Sequence, residues 1–289
     1  MLGKRGSRPA GRTWGFWGTF LPPFLWLSGF YLVPLGVLLS YAFLRHEYVT
    51  ILPEFTWDNF HQIAQGVGYR HTLLRTVGVA SLVTLIDLIL AFPAAYCLAF
   101  QAGRFKGLLS LLILLPLWSS YLVRVFAWRI ILGTNGILNS LLVTLGVLEQ
   151  PSPWFLYNLF SMTVTLCYVW LPFMVLPLVT ALERLPRRLL EAAADLGAAP
   201  WQGFRQVTLP LVLPGLLAGC LSVFSLTLGD YITPTLIGGS GDILVGNLVA
   251  SQFGVAANWP LGSAFAVLML GLLFTLMVFL ARRGVLENL

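Results

Sequence analysis

The sequence predicts an all-α integral membrane protein: six membrane-crossing helices in a single domain over residues 1–289. Three observations carry that reading. First, 58% of the 289 residues are hydrophobic and only 10% are charged, against roughly 25% charged in a soluble globular domain. Second, six apolar stretches reach the about 20 residues that a bilayer-crossing helix needs. They lie near Phe20–Phe43, Leu73–Phe100, Gly107–Val125, Leu156–Val179, Leu211–Thr233 and Leu261–Ala281. Third, basic residues gather in alternate connections. With the N-terminus in the cytoplasm, the inner side holds Lys4, Arg5, Arg8, Arg12, Arg104, Lys106, Arg184, Arg187, Arg188, Arg205, Arg282 and Arg283. Only Arg45, Arg70, Arg75, Arg124 and Arg129 fall on the outer side or within spans. This bias orients a membrane protein with both chain ends inside. The net charge of +6 is therefore an orientation signal and membrane-lipid contact, with no nucleic-acid partner.

The first apolar run, Trp14 to Leu44, is too long for a secretory signal and no small-residue cleavage site follows it, so it reads as a retained span. The outer segment from Arg45 through His71 holds Glu47, Glu54, Asp58, His46, His61 and His71. Their spacing matches no ligand motif and no cysteine joins them, so they read as solvated side chains without a metal. In the second span Asp87 lies twelve residues from Arg75, about 18 Å along a straight helix. These two cannot pair on one helix, and Arg124 in the third span is another potential partner. Pro34, Pro93, Pro116, Pro172, Pro177 and Pro214 fall inside spans, where neighbouring helices re-satisfy freed backbone groups. Gly133 to Pro153 is rich in turn formers around an apolar middle, which predicts a short helix at the outer surface. The last outer loop, Leu236 to Pro260, begins with a flexible Gly-Gly-Ser-Gly-Asp run and ends on Trp259, a residue suited to the membrane interface. Cys97, Cys167 and Cys220 all lie in apolar runs and read as small core side chains, with no disulfide framework.

One long polar connection, residues 181–210, separates the fourth and fifth spans. Arg187 through Leu196 are strong helix formers, and Pro186 suits a first helical turn. Leu189, Ala193 and Leu196 share one helical face. Gly197 can end the helix in a left-handed conformation, and Pro200 restarts a second short helix carrying Trp201, Phe204 and Val207. Two short helices meeting at a glycine elbow, with small residues Ala192, Ala193 and Ala194, suit insertion into a groove on a partner. No Gly-x-x-x-x-Gly-Lys-Ser/Thr phosphate loop occurs, and the lysines are Lys4 and Lys106. Nucleotide chemistry is thus not expected on this chain, which is not an enzyme by itself.

The run Glu191-Ala192-Ala193, then Gly197, Val207, Leu209 and Pro210 resembles the EAA loop of ABC importer permeases. Leu115–Trp128, Asn135–Leu142, Val169–Pro186, Leu228–Gly239, Gly246–Phe253 and the Thr56–Phe60 run (TWDNF) are similar to the spermidine/putrescine-type permeases of the type I importers. The likeness covers nearly the whole chain. It implies the type I ABC importer permease (MetI-like) fold, set in a bacterial inner membrane. It implies that Glu191, Ala192, Ala193 and Gly197 dock on a cytoplasmic ATPase. It also implies two ABC ATPase subunits, a second permease subunit and an extracytoplasmic solute-binding protein. No cofactor is expected on this chain, since ATP and magnesium would sit on the ATPases.

Ionisable residues inside a span are functional candidates by default. Asp230 beside Tyr231, near the outer end of the fifth span, pairs a carboxylate with an aromatic face for a cationic amine. Trp118, Ser119, Ser120 and Tyr121 extend that candidate substrate path, and Asp87 joins it as a charge within the second span. The expected function is an ATP-driven importer subunit for polyamines or a related small organic solute. The competing readings are a proton-coupled secondary carrier using Asp87 and Asp230 as relays, and a membrane protein of structural or assembly role.

Overall fold

The computed structural model describes residues 11–47 and 50–282. The predicted orientation signals at Lys4, Arg5, Arg8 and Arg283, and both chain ends, lie outside the described residues. Within them, six helical segments are long and apolar enough to cross a membrane.

Helix α1 (Gly11–Tyr41) runs continuously through Pro22, Pro23 and Pro34. Its apolar window is unburied by the rest of the chain, and it packs chiefly on the last helix. The connecting segment that follows forms an antiparallel hairpin, β1 (Leu44–Glu47) with β2 (Thr50–Phe55), and a short helix α2 (Asp58–Gln65). Register slips between Leu44↔Phe55 and Arg45↔Leu52. Pro53, which has no N–H to give the ladder, falls in the bulge. The Thr56–Phe60 run anchors this segment. The Thr56 hydroxyl accepts from the Asp58 N–H at 3.1 Å, while the Asn59 amide donates to the carbonyls of Ala42 (3.0 Å) and Leu44 (2.9 Å). His46, His61 and His71 land on β1, α2 and the next helix respectively.

Helix α3 (Val67–Tyr96) continues through a wide turn at Cys97–Gln101, shortly after Pro93. The predicted third span over 107–125 is not one helix. Helix α4 (Lys106–Leu114) and a tight turn at Leu115–Trp118 stop at Ser119 and Ser120, whose backbones are extended, before α5 (Tyr121–Leu132) begins. Pro116 sets the tight turn, and the Ser119 hydroxyl donates to the Pro116 carbonyl at 2.7 Å, a local bond that competes with helix propagation. The apolar crossing window falls later, at Tyr121–Thr144. It includes α6 (Ile137–Thr144), the short helix expected between 133 and 153. Asn139 is fully buried there and staples the loop, donating to Gly133 and Ser152 carbonyls and accepting from the Ser152 N–H at 2.8 Å.

Helix α7 (Leu159–Glu183) opens with Asn158 and Ser161 bonding each other's backbone N–H, an arrangement that satisfies two free donors. The polar connection gives α8 (Arg187–Asp195) and α9 (Pro200–Gly203), then a wide turn at Phe204–Thr208 leading into α10 (Leu209–Leu228). Pro186 precedes α8 rather than entering it. The fifth span stops at Leu228, five residues earlier than predicted. Gly229, Asp230 and Tyr231 form a corner before α11 (Ile232–Ile237). Helices α12 (Val245–Phe253) and α13 (Trp259–Arg282) complete the chain.

Helices α3, α7 and α10 form the central bundle, burying Val83, Leu166, Met174, Leu178, Val212 and Val223 between them. Close approach comes from Gly215 and Gly219, which share one face of α10. A Cβ on Gly215 would lie 2.4 Å from that of Ala181, and one on Gly219 would lie 2.8 Å from the Met174 sulfur. Small residues four apart let membrane helices pack backbone to backbone. A second cluster, Ala42, Ile63, Val245, Leu261 and Phe265, holds α13 to the connecting segment after α1.

Candidate functional site

Two places collect the residues singled out above. The first is the elbow between α7 and α10. Helix α8 ends as its glycine requires. Gly197 has φ +82°, its N–H donates to the Ala194 carbonyl at 2.9 Å, and the Ala198 N–H donates to Ala193 at 3.0 Å. These two bonds close the free carbonyls of a helix end and need a left-handed residue between them. The Ala199 N–H then donates to the Gln202 side chain at 3.0 Å, capping α9. Phe204 stacks on Trp201 with ring centres 5.4 Å apart and sets its edge on Phe92 of α3 at 5.5 Å. The elbow is thereby fixed to the central bundle by an aromatic contact. A cavity of about 420 Å³ remains between them, lined by Phe92, Tyr96, Ala193, Ala194, Ala199 and Phe204.

Glu191, Ala192 and Gly197 are exposed at the tip, and Ala193 is half-buried toward that cavity. Leu196 is 88% exposed and Trp201 67%. The tip therefore presents apolar side chains beside a carboxylate, and its helix face of Leu189, Ala193 and Leu196 is largely uncovered. That composition fits a surface that buries itself in a partner.

The second place is the corner at Asp230, between α10 and α11, where the carboxylate residue is 6% exposed. One carboxylate oxygen accepts from the Tyr121 hydroxyl (2.5 Å) and the Thr233 hydroxyl (2.7 Å). The other accepts from the N–H groups of Ile232 (2.9 Å) and Thr233 (3.2 Å). Asp230 thus caps α11 and ties it to α5. Tyr121 stacks on Trp170 of α7 at 5.3 Å, and Gly246 packs directly on the Asp230 carbonyl, where a Cβ would lie 2.6 Å away. The Asn247 amide donates to the Tyr231 carbonyl (2.9 Å) and the Thr235 hydroxyl (2.7 Å). The buried Thr76 hydroxyl accepts from the Val245 N–H at 2.9 Å. Sequence reasoning missed Thr76, Thr233 and Asn247, because polar residues that serve a backbone corner carry no chemical motif.

The structure brings Asp230, Tyr121 and Tyr231 to this corner. It does not bring Trp118, which is 79% exposed, and Ser119 and Ser120 are exposed at the break before α5. Tyr231 is half-exposed and borders a largely apolar cavity of about 460 Å³ between α10, α12 and α13, with Gly246, Ala266, Met269 and Leu273. Asp87 lies apart from both places. It is fully buried among α3 and α7, where the Cys167 thiol is a weak donor beside a carboxylate that has no conventional hydrogen-bond partner. The pairing with Arg124 that the sequence left open is absent, since that guanidinium donates to the Val169 carbonyl at 3.3 Å.

Six helical segments long and apolar enough to cross a membrane thus frame a glycine-capped elbow between α7 and α10. Residues 76–285 match the family described as Binding-protein-dependent transport system inner membrane component, and the chain belongs to it. Among its relatives is the inner membrane ABC transporter permease protein YdcU of Escherichia coli (strain K12), 38% identical, with 95% of this chain and 91% of the relative covered. Another is the spermidine/putrescine transport system permease protein PotB of Haemophilus influenzae, 35% identical over 90% of this chain and 91% of its own length. The fold agrees with that of a bacterial alginate ABC transporter chain at a TM-score of 0.73, 17% identity, 95% coverage of this chain and 96% of the other. A chain of the MetNI methionine ABC transporter matches at 0.53 and 18% identity, covering 78% of this chain and all of its own. The protein is thus a multi-pass inner-membrane permease subunit of an ABC importer. It has the MetI-like fold and the EAA motif and coupling helix typical of its family. Permease subunits of this kind leave ATP hydrolysis to separate subunits.

Proposed function

We propose that this chain forms half of the translocation path of an ATP-driven importer for polyamines or a related amine. The observation that carries the proposal is the elbow. A glycine-capped helix pair exposes Glu191, Leu196 and Trp201 while Phe204 anchors it to α3. Such a lever passes force from a docked subunit into the central bundle. Two ATPase subunits, binding ATP and magnesium, close on each other and swing the permease helices between inward-open and outward-open states. Glu191, Ala192, Ala193 and Gly197 form the docking tip, on the cytoplasmic side with both termini. An extracytoplasmic binding protein delivers solute to the outer corner, and solute passes between this chain and a second permease subunit.

The polyamine reading is supported by 35% identity to PotB over 90% of the chain. At the corner itself Asp230 is already saturated by four hydrogen bonds. Contact with an ammonium group therefore falls to the exposed ring of Tyr231, whose face attracts cations by about 0.5–2 kcal/mol. The test is uptake by the reconstituted complex in vesicles. Spermidine and putrescine should enter only with ATP on the ATPase side, and collapse of the proton gradient should leave the rate unchanged. Uptake that survives ATP depletion and stops with the gradient contradicts the assignment.

A further inference from the structure

The root of the elbow holds a cleft that the transport reading leaves unused. Helices α7 and α10 touch where Gly215 meets Ala181. Beside that contact a cleft of about 520 Å³ opens, walled by Pro177, Thr180, Arg184, Pro210, Leu211 and Pro214. Its walls are the last turns of one membrane-crossing helix and the first turns of the next. It therefore sits at the depth where bilayer hydrocarbon gives way to headgroups, on the elbow side.

Charge decides what fits there. Glu183, the neighbouring carboxylate, is turned to Lys106 at 3.0 Å. Arg184 has no ion-pair partner among the described residues, and neither do Arg188 and Arg205 farther out on the elbow. The mouth of the cleft is thus positive while its floor is proline, alanine and glycine. A cationic amine is repelled at this mouth. An amphiphile with an anionic head and an apolar tail meets both requirements, and basic pockets between membrane helices bind anionic headgroups for this reason. Pro214 also lacks the N–H that would meet the Pro210 carbonyl one turn before it, toward the mouth of the cleft. Phosphatidylglycerol carries glycerol hydroxyls that can donate to such a carbonyl.

We infer that this cleft seats an anionic phospholipid, with the Arg184 guanidinium on its phosphate and an acyl chain against Pro177, Leu211 and Pro214. A lipid seated there lies between the two stems of the elbow, so its occupancy bears on how firmly the elbow is held. The inference does not depend on which solute is carried or on what drives transport.

The test is native mass spectrometry of the purified full-length chain equilibrated with equal amounts of phosphatidylglycerol and phosphatidylcholine. The wild type should retain phosphatidylglycerol in about five-fold excess, as one basic residue near a headgroup provides. Arg184→Gln should bring the ratio close to one, and Arg184→Lys should retain most of it. Arg188→Gln, outside the cleft, should leave it unchanged. Thr180→Trp fills the cleft with Arg184 intact and should lower phosphatidylglycerol retention with no loss of helical circular dichroism. Loss of the preference in Arg188→Gln as complete as in Arg184→Gln would indicate a diffuse basic surface and overturn the inference. So would a preference that survives Arg184→Gln or Thr180→Trp. Displacement of the lipid by millimolar glycerol 1-phosphate would reduce the site to a bare anion contact and overturn it equally.

Discussion

Asp230 accepts four hydrogen bonds at a helix start, and Asp87 has only the weak Cys167 thiol beside it in the middle of a bundle. Both are aspartates in apolar sequence, and residue type alone put both in one candidate path. Their fates differ because of what stands opposite, which a single sequence does not display. Asp230→Ala should cost about 3 kcal/mol, since buried hydroxyls and N–H groups lose their acceptor. Asp230→Asn keeps an acceptor for the Ile232 and Thr233 N–H groups and should cost no more than about 1 kcal/mol. Thermal denaturation of the purified chain in detergent measures both. Equal damage from the two variants would mean that charge, rather than capping, is what the corner requires. For Asp87 the sign reverses. A buried polar group without a conventional partner is a liability of about 1–3 kcal/mol, so Asp87→Val should raise the midpoint of the same melt. A fall would reveal a stronger partner for the carboxylate. Thr76 and Asn247 were illegible for a related reason, because each serves a backbone group that only the fold brings near, and Thr233 because its hydroxyl serves the Asp230 carboxylate at a corner hydropathy does not mark.

At the scale of elements, the periodic and capped segments were legible and the broken ones were not. Gly197 announced the end of α8, since few other residues adopt φ +82°. Gly197→Val should strain the elbow by about 1–2 kcal/mol and reduce co-purification of the ATPase, with little change in the melt of the membrane bundle. Unchanged assembly would remove the cap from the coupling account. Apolar length, by contrast, ran the third span through Ser119 and Ser120 and the fifth through Asp230, because hydropathy does not register where a hydroxyl or carboxylate outcompetes the helix for a backbone group. Packing between helices was equally silent in the sequence reading, although Gly215 and Gly219 stand four apart. Gly215→Leu places a side chain where a Cβ already lies 2.8 Å from the Pro177 carbonyl. It should separate α7 from α10 and cost about 1–3 kcal/mol or more, read as a lower melting midpoint. An unchanged midpoint would show that the two helices yield without loss.

For the molecule as a whole, the elbow and the central bundle are joined by direct contacts. In the proposed coupling, displacement of the elbow would pass through Phe204 on Phe92 into α3 and through the close α7–α10 contact to the Asp230 corner, where Asp230 and Asn247 hold α11 and α12 in place. A rigid chain of contacts of this kind moves as a body, as alternating access requires. In the proposed transporter the elbow tip is buried in a separate ATPase. This is tested most directly by placing a photoreactive benzoylphenylalanine at Leu196, 88% exposed in the isolated chain, and irradiating membranes that hold the assembled transporter. A cross-link should form from Leu196 to the ATPase subunit, and none from a control placed at Phe55 in the β1–β2 hairpin. A cross-link to lipid or to an extracytoplasmic protein, with the ATPase untouched, would contradict that placement.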